Sequence, residues 1–228
     1  MKYLLIFVII LFVGIFASLL STKALYSCYK KANNEIANIN LTSANLLAFF
    51  IQKLNLNIKI AKYSYGLDNS YSIKKKVIFL SNDVFDSRSV GGISIAMHEL
   101  GHSIQHHTKT KLFKLYSFFS IIAKITSLLL LPLIIFFLVS LFLDTFYLKL
   151  ALILFIVLYL INLTIRILII PLEKNASNIA IGLLREYKIF DQDELKLAKK
   201  LLNRAFLTYV GGFFNVYIKF FKKILKSF

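Results

Sequence analysis

A mainly α-helical membrane protein, with a small α+β region between its membrane segments, is the fold class this sequence predicts, on three observations. The 228 residues are 58% hydrophobic, with 22 phenylalanines and only two prolines, far more apolar than a soluble domain of this size. Three apolar runs come near the roughly 20 residues that cross a bilayer. Between the first and second runs stands His98-Glu99-Leu100-Gly101-His102, two imidazoles one helical turn apart in apolar surroundings.

The first run, Leu4 to Leu20, reads as an uncleaved N-terminal transmembrane anchor over residues 1–21. Lys2 and the small residues near Ala17-Ser18 would also fit a signal peptide, but the run is long for a signal core and no A-x-A site follows it. Residues 22–124 form the next region. There Thr42 or Ser43 caps an amphipathic helix through about Lys53, with Leu46, Leu47, Phe50 and Ile51 at helical spacing. Ile58 to Ala61 and Val77 to Leu80 read as short strands, the second followed by Ser81-Asn82-Asp83 turn chemistry. The second span runs from about Thr126 to Leu143 and the third from about Phe146 to Ile165. Asp144-Thr145 between them is long enough only for a tight turn, so 125–166 is a transmembrane hairpin with both flanks on one side.

Residues 167–204 follow with a helix opened by Pro171 and a polar and apolar helix from Asp191 to Leu202. The last segment, 205–228, is interrupted by Gly211-Gly212, and Lys219, Lys222, Lys223 and Lys226 suit an interfacial or membrane helix. Lysines and arginines crowd the flanks outside the hairpin, whereas Lys2 and Lys149 stand opposite them, which places the His-Glu-x-x-His region in the cytoplasm. The single cysteine, Cys28, excludes an internal disulfide. The net charge of +17 is scattered along membrane flanks without a nucleic-acid-binding motif, so anionic lipid head groups are the expected partners rather than nucleic acid.

The chemistry of the motif follows from its spacing. His98 and His102, at i and i+4, share one helix face and can hold one Zn(2+) per chain, while Glu99 points about a quarter turn away and can take a proton from water. Ile95, Ala96, Met97, Leu100, Gly101, Ser103 and Ile104 are uncharged, as a buried helix requires. A solvated histidine cluster is the competing reading. His106 lies about 12 Å from His98 along a straight helix, too far for one ion with bonds of ~2 Å to reach both. His106 and His107 read instead as a polar helix end near the C-terminal dipole.

A third ligand must come from elsewhere among the eleven acidic residues. Glu173 stands alone just after Pro171, beside a long apolar segment where an isolated carboxylate is expensive unless paired or metal-bound. Pairing with Arg166 or Lys174 is the alternative.

Several segments together resemble the YugP-like neutral zinc metallopeptidase family of bacterial membranes. They are His98 through His106, Lys76-Val77-Ile78-Phe79-Leu80-Ser81, Pro171-Leu172-Glu173 with Ala176-Ser177, and Ala205 through Val210. The order of elements also resembles the HtpX-like membrane proteases, in which a glutamate after the hairpin is the third zinc ligand. That resemblance maps the ligand onto Glu173 and implies a zincin-like α+β catalytic region. Asn175 stands where relatives tend to carry aspartate, and Gly91-Gly92 where they carry small helix formers.

The expected activity is zinc-dependent endopeptidase cleavage, with His98, His102 and Glu173 as ligands and Glu99 as the catalytic base. Tyr209 and Tyr71 are candidate oxyanion stabilisers by resemblance alone. Val77 to Leu80 is the expected edge strand for a substrate backbone. Glu173 lies seven residues beyond Arg166, on the order of 10 Å from the hydrocarbon edge, which favours membrane or misfolded membrane proteins as substrates. A catalytically idle zinc-binding membrane scaffold and a lipid-interacting membrane protein with incidental histidines are the rival classes. The sequence sets no oligomeric state.

Overall fold

The computed structural model describes residues 2–63, 69–108 and 111–211. Helices dominate: α1 (Lys2–Asn34), α2 (Ser43–Lys53), α3 (Asn82–Phe85), α4 (Val90–His107), α5 (Lys111–Ser140), α6 (Thr145–Glu186) and α7 (Gln192–Gly211). The strands are β1 (Lys59–Tyr63), β2 (Ser70–Ser72) and β3 (Val77–Ser81). Two compact units result, one of Met1–Lys23, Leu115–Ile170 and Leu207–Phe228, the other of Ala24–Lys114 and Pro171–Phe206.

The first unit contains the apolar lengths of α1, α5 and α6, and among the described residues three helices are long and apolar enough to cross a membrane. Its core is aromatic. The Phe7 ring stacks on Phe137 at 3.8 Å between centroids and meets Phe155 edge-on at 4.9 Å, with Leu130 and Ala151 fully buried beside them. Large apolar side chains such as Phe12, Phe142 and Ile153 face outward, a pattern that suits helices long and apolar enough to cross a membrane. This unit also buries a polar cluster: the Asn162 amide donates to the Ala123 carbonyl at 3.1 Å and to the hydroxyls of Thr126 and Ser127 at 2.7 and 2.9 Å. Its oxygen accepts from Arg166 Nε at 2.6 Å.

The second unit is a helical layer with a three-stranded sheet. The strand order is β1-β3-β2, with β1 parallel to β3 and β2 antiparallel to it. Helix α2 begins where Thr42 accepts from the Asn45 N–H at 3.2 Å and buries Leu46, Leu47 and Phe50. These meet Ile78 and Leu80 of β3, Ile93, Met97 and Leu100 of α4, Leu184 of α6 and Ala198 of α7 in one core. Each large side chain so buried contributes about 1.5–3 kcal/mol. The glycines of Gly91-Gly92, unfavourable in a helix by propensity, have a packing cause. A Cβ on Gly91 would lie 3.0 Å from the Ala32 carbonyl carbon of α1, so Gly91 lets α4 start against another helix, and a Cβ on Gly92 would run into the Ser87 side chain. Helix α7 opens with a reciprocal cap in which Asp191 accepts from the Glu194 N–H at 2.9 Å and Glu194 accepts from the Asp191 N–H at 2.7 Å.

Several expectations need correction. Helix α1 continues well past Leu20 because its polar half is rich in helix formers and buries Cys28 and Ala32 against Leu201. Pro171 does not open a helix. It lies inside α6, which continues from the third span without a break, and buried Ile169, Leu172 and Ala176 on either side hold it helical. Helix α5 ends at Ser140, and the turn follows through Leu143, where Leu141, Phe142 and Leu143 donate back to Leu138, Val139 and Ser140. No helix begins at Ala205, because α7 runs through it to Gly211. Residues 212–228 of the expected interfacial segment lie outside the described residues. Val77 to Leu80 is not an edge strand, since β1 and β2 flank β3 on both sides. The strand that displaces it, β2, is only three residues long and mostly polar, which leaves no periodic pattern to read.

Candidate metal centre

Helix α4 is apolar on nearly all faces, so its polar side chains must find partners inside the protein. Its start is fixed by Ser89, whose hydroxyl accepts from the Gly92 N–H at 3.0 Å and donates to Asn33 at 2.8 Å. Eight residues into this helix comes His98, one turn later His102, and the two rings stand nearly perpendicular with centroids 4.7 Å apart. Helix α6 supplies Glu173.

The approach of the two helices depends on Gly101, which lies between the imidazoles on the α6 side. A Cβ there would fall 2.4 Å from the Ala176 carbonyl oxygen, so any larger residue would push α6 away. With the helices in contact, Glu173 Oε2 lies 3.3 Å from His98 Nε2 and 3.5 Å from His102 Nε2. Ligands bonded at ~2.0–2.1 Å in a tetrahedron stand about 3.3–3.4 Å from one another, so these separations match a zinc site. The sequence-predicted trio of His98, His102 and Glu173 is therefore brought together, with all three donor atoms within 4.8 Å of one another.

The electrostatics point the same way. Glu173 is 2% exposed, and its Oε1 is a buried side-chain oxygen without a hydrogen-bond partner among the described residues. A buried carboxylate with an orphaned oxygen requires a compensating cation. Burial alone would push the His102 imidazole down, but the hydrogen bond and charge of Glu173 outweigh it and hold the ring up at about 9. The residues thus fit a divalent metal that replaces the imidazolium proton, and the donor set of two nitrogens and one oxygen suits zinc.

Glu99 is buried on the same helix. Burial pushes its carboxyl up from the usual range, the nearby imidazoles pull it down, and the main-chain N–H of Tyr71 hydrogen-bonds it. Tyr71, the middle residue of β2, is thus placed beside Glu99 through its backbone. Its hydroxyl is 2.8 Å from His106 Nδ1, and His106 in turn lies against the Phe113 ring. The tyrosine hydroxyl is directed at the end of α4 rather than at the three ligands. Tyr209 belongs to α7, and its side chain lies outside the described residues. Glu173 faces the imidazoles rather than pairing with Lys174 or Arg166.

Two residues beside the ligands escaped the sequence reading. Gln105, 1% exposed, presents Oε1 to His102 Nδ1 at 3.1 Å and donates from Nε2 to the Leu172 carbonyl at 3.0 Å and Asn175 Oδ1 at 2.8 Å. Ser177 Oγ lies 3.1 Å from His98 Nδ1 and donates to the Glu173 carbonyl at 3.0 Å. Their signal was positional: Gln105 is i+3 from His102 and Ser177 is i+4 from Glu173, uncharged polar residues on faces that are otherwise apolar.

A largely buried His, His, carboxylate cluster with a second carboxylate beside it is a donor set of the kind that can hold a divalent metal, and it stands in a helical chain that has, among the described residues, three helices long and apolar enough to cross a membrane. The chain belongs to the family described as "Putative neutral zinc metallopeptidase", which matches residues 3–227. Over 155 residues it is 30% identical to the Bacillus subtilis (strain 168) protein named "Putative membrane protease YugP", a match covering 64% of this chain and 62% of that protein. The chain thus spans about three fifths of the length of the curated relative it matches. No solved structure matches it.

Proposed function

We propose that this chain is a membrane-embedded zinc metalloendopeptidase with a zincin-like site, held by His98, His102 and Glu173 and served by Glu99. The observation that carries this reading is the convergence of His98 Nε2, His102 Nε2 and Glu173 Oε2, with the other oxygen of that buried carboxylate, Oε1, left without a hydrogen-bond partner among the described residues. Zinc held there supplies Lewis acidity toward the scissile carbonyl and an acidified water. Glu99 takes the proton from the attacking water and passes it to the leaving amine, and burial suits it by raising its proton affinity toward working pH. The substrate backbone adds to the outer edge of β2, the edge strand whose Tyr71 N–H reaches Glu99, instead of to β3.

The substrates proposed are membrane or misfolded membrane proteins reached from the cytoplasmic face. Two features support this: the ligand helix α6 is also the third apolar helix, and the basic residues crowd the flanks of the hairpin. The same basic flanks favour anionic lipid head groups. The test is zinc content of detergent-purified protein together with peptide-bond cleavage by wild type and Glu99→Gln. One zinc per chain in both, with cleavage reduced about 100- to 10,000-fold in Glu99→Gln, is the expected outcome. A metal-loaded Glu99→Gln protein that cleaves at the wild-type rate, or wild type that takes up no zinc, rejects the reading. Equal rates on tethered and soluble unfolded substrates would reject the membrane preference alone.

A further inference from the structure

We propose that Gln105 is a positioning residue that fixes the tautomer of His102 and ties it to the turn of α6 that carries Glu173; this rests on the zinc reading above. The orientation of a glutamine amide is decided by its partners, and here one partner leaves no choice. The Leu172 carbonyl can only accept, so the Gln105 NH2 must face it, at 3.0 Å. The other amide hydrogen goes to Asn175 Oδ1 at 2.8 Å. Gln105 Oε1 therefore faces His102 Nδ1 at 3.1 Å and accepts its proton. With the proton on Nδ1, the neutral ring carries its lone pair on Nε2, the nitrogen that faces Glu173.

Gln105 thus couples two features that must agree for a metal to be held. Its oxygen chooses the tautomer of one ligand, and its nitrogen holds the backbone of the residue next to another. Ser177 does the same for His98 from the opposite helix. Its single hydroxyl proton goes to the Glu173 carbonyl, so its oxygen accepts from His98 Nδ1. Both constraints end on the stretch of α6 from Leu172 to Ser177, and both are neutral. These two contacts orient the rings by an amide and a hydroxyl group.

The experiment is a chelator competition for zinc on the full chain in detergent, comparing wild type, Gln105→Met and Gln105→Glu. Methionine keeps the volume of the buried side chain and removes the acceptor, whereas glutamate keeps an acceptor oxygen for His102. Gln105→Met should bind zinc about 10- to 100-fold more weakly, and Gln105→Glu, which keeps the acceptor for His102 but loses the donor to the Leu172 carbonyl, should fall between Gln105→Met and wild type. Equal affinity in all three would overturn the proposal, and so would a Gln105→Glu as weak as Gln105→Met, which would reduce Gln105 to packing. If Gln105→Met fails to fold, the zinc-free wild type decides by itself. Two-bond nitrogen-15 correlations of the imidazoles at alkaline pH should place the His102 proton on Nδ1, and a proton on Nε2 would overturn the assignment. Wild type without zinc affinity but with the Nδ1 tautomer would overturn the zinc reading instead.

Discussion

Two buried polar clusters divide the molecule's chemistry between them. In the unit of long apolar helices, Asn162 spends its amide on one carbonyl and two hydroxyls and its oxygen on Arg166, and each of these contacts joins groups that complete one another's hydrogen bonding. In the second unit, His98, His102 and Glu173 converge on one point, and a carboxylate oxygen is left over. The first arrangement clamps helices. The second stores a demand for positive charge, which a metal can meet. Burial is similar in both, so what separates a structural cluster from a reactive one is whether the polar groups exhaust each other.

The largest expected break of that contrast is loss of a ligand. Glu173→Ala or His102→Ala should lower zinc affinity more than ~100-fold, beyond what loss of an outer hydrogen bond costs, measured by chelator competition. An unchanged affinity would mean that the metal is held elsewhere. Next in size is Gly101→Ala. Alanine gains about 1 kcal/mol of helix propensity over glycine, but its methyl would lie 2.4 Å from a backbone oxygen that cannot rotate away. Overpacking of this kind costs about 1–3 kcal/mol, so thermal stability should fall and zinc binding should weaken together as α6 moves off. Stability rising without loss of zinc would show that the close approach is not required.

What the sequence made legible divides along the same physical line. Repeating patterns were readable: three apolar lengths announced three helices long and apolar enough to cross a membrane, and i, i+4 spacing placed His98 and His102 on one face. Glu173 was readable because a lone carboxylate beside an apolar run has few places to go. Features that depend on a single contact were not. Nothing in three residues of Ser-Tyr-Ser identifies β2 as a strand, and its pairing with β3 made the expected edge strand a central one. The roles of Gln105 and Ser177 exist only once α4 and α6 touch. Gly101 carried a weak hint, since a glycine inside a buried helix has a packing reason more often than a local one.

A smaller effect follows from the proton that stands in for the metal. In the zinc-free protein, His102 is held up at about 9 by Glu173 against the opposing effect of burial. Because the folded value lies above the unfolded one of about 6.5, this pairing stabilises the zinc-free fold fully below about 6.5 and ceases to do so as pH rises through about 9. Zinc must displace that proton. Its affinity should therefore climb by up to about tenfold per pH unit in the interval below about 9 and level off above it. Titrations of zinc uptake at several pH values check the slope, and a pH-independent affinity would mean that His102 is neutral before the metal arrives.

The smallest expected change tests the other cluster. Asn162→Leu removes an amide whose hydrogen bonds join α5 to α6, and interhelical bonds of this kind in membrane proteins contribute about 0.6 kcal/mol on average and up to about 1.7. Thr126 and Ser127 keep their hydrogen bonds to the carbonyls of Ile122 and Ala123 in their own helix, and Arg166 keeps its bond to the Ser127 hydroxyl, so the loss is the link between helices together with the Arg166–Asn162 bond inside α6. Stability in detergent should therefore fall by about 1 kcal/mol, with zinc affinity within about twofold of wild type. A larger loss of zinc than of stability would show that this cluster also bears on the metal centre, and the separation of clamp from reactive site would fail.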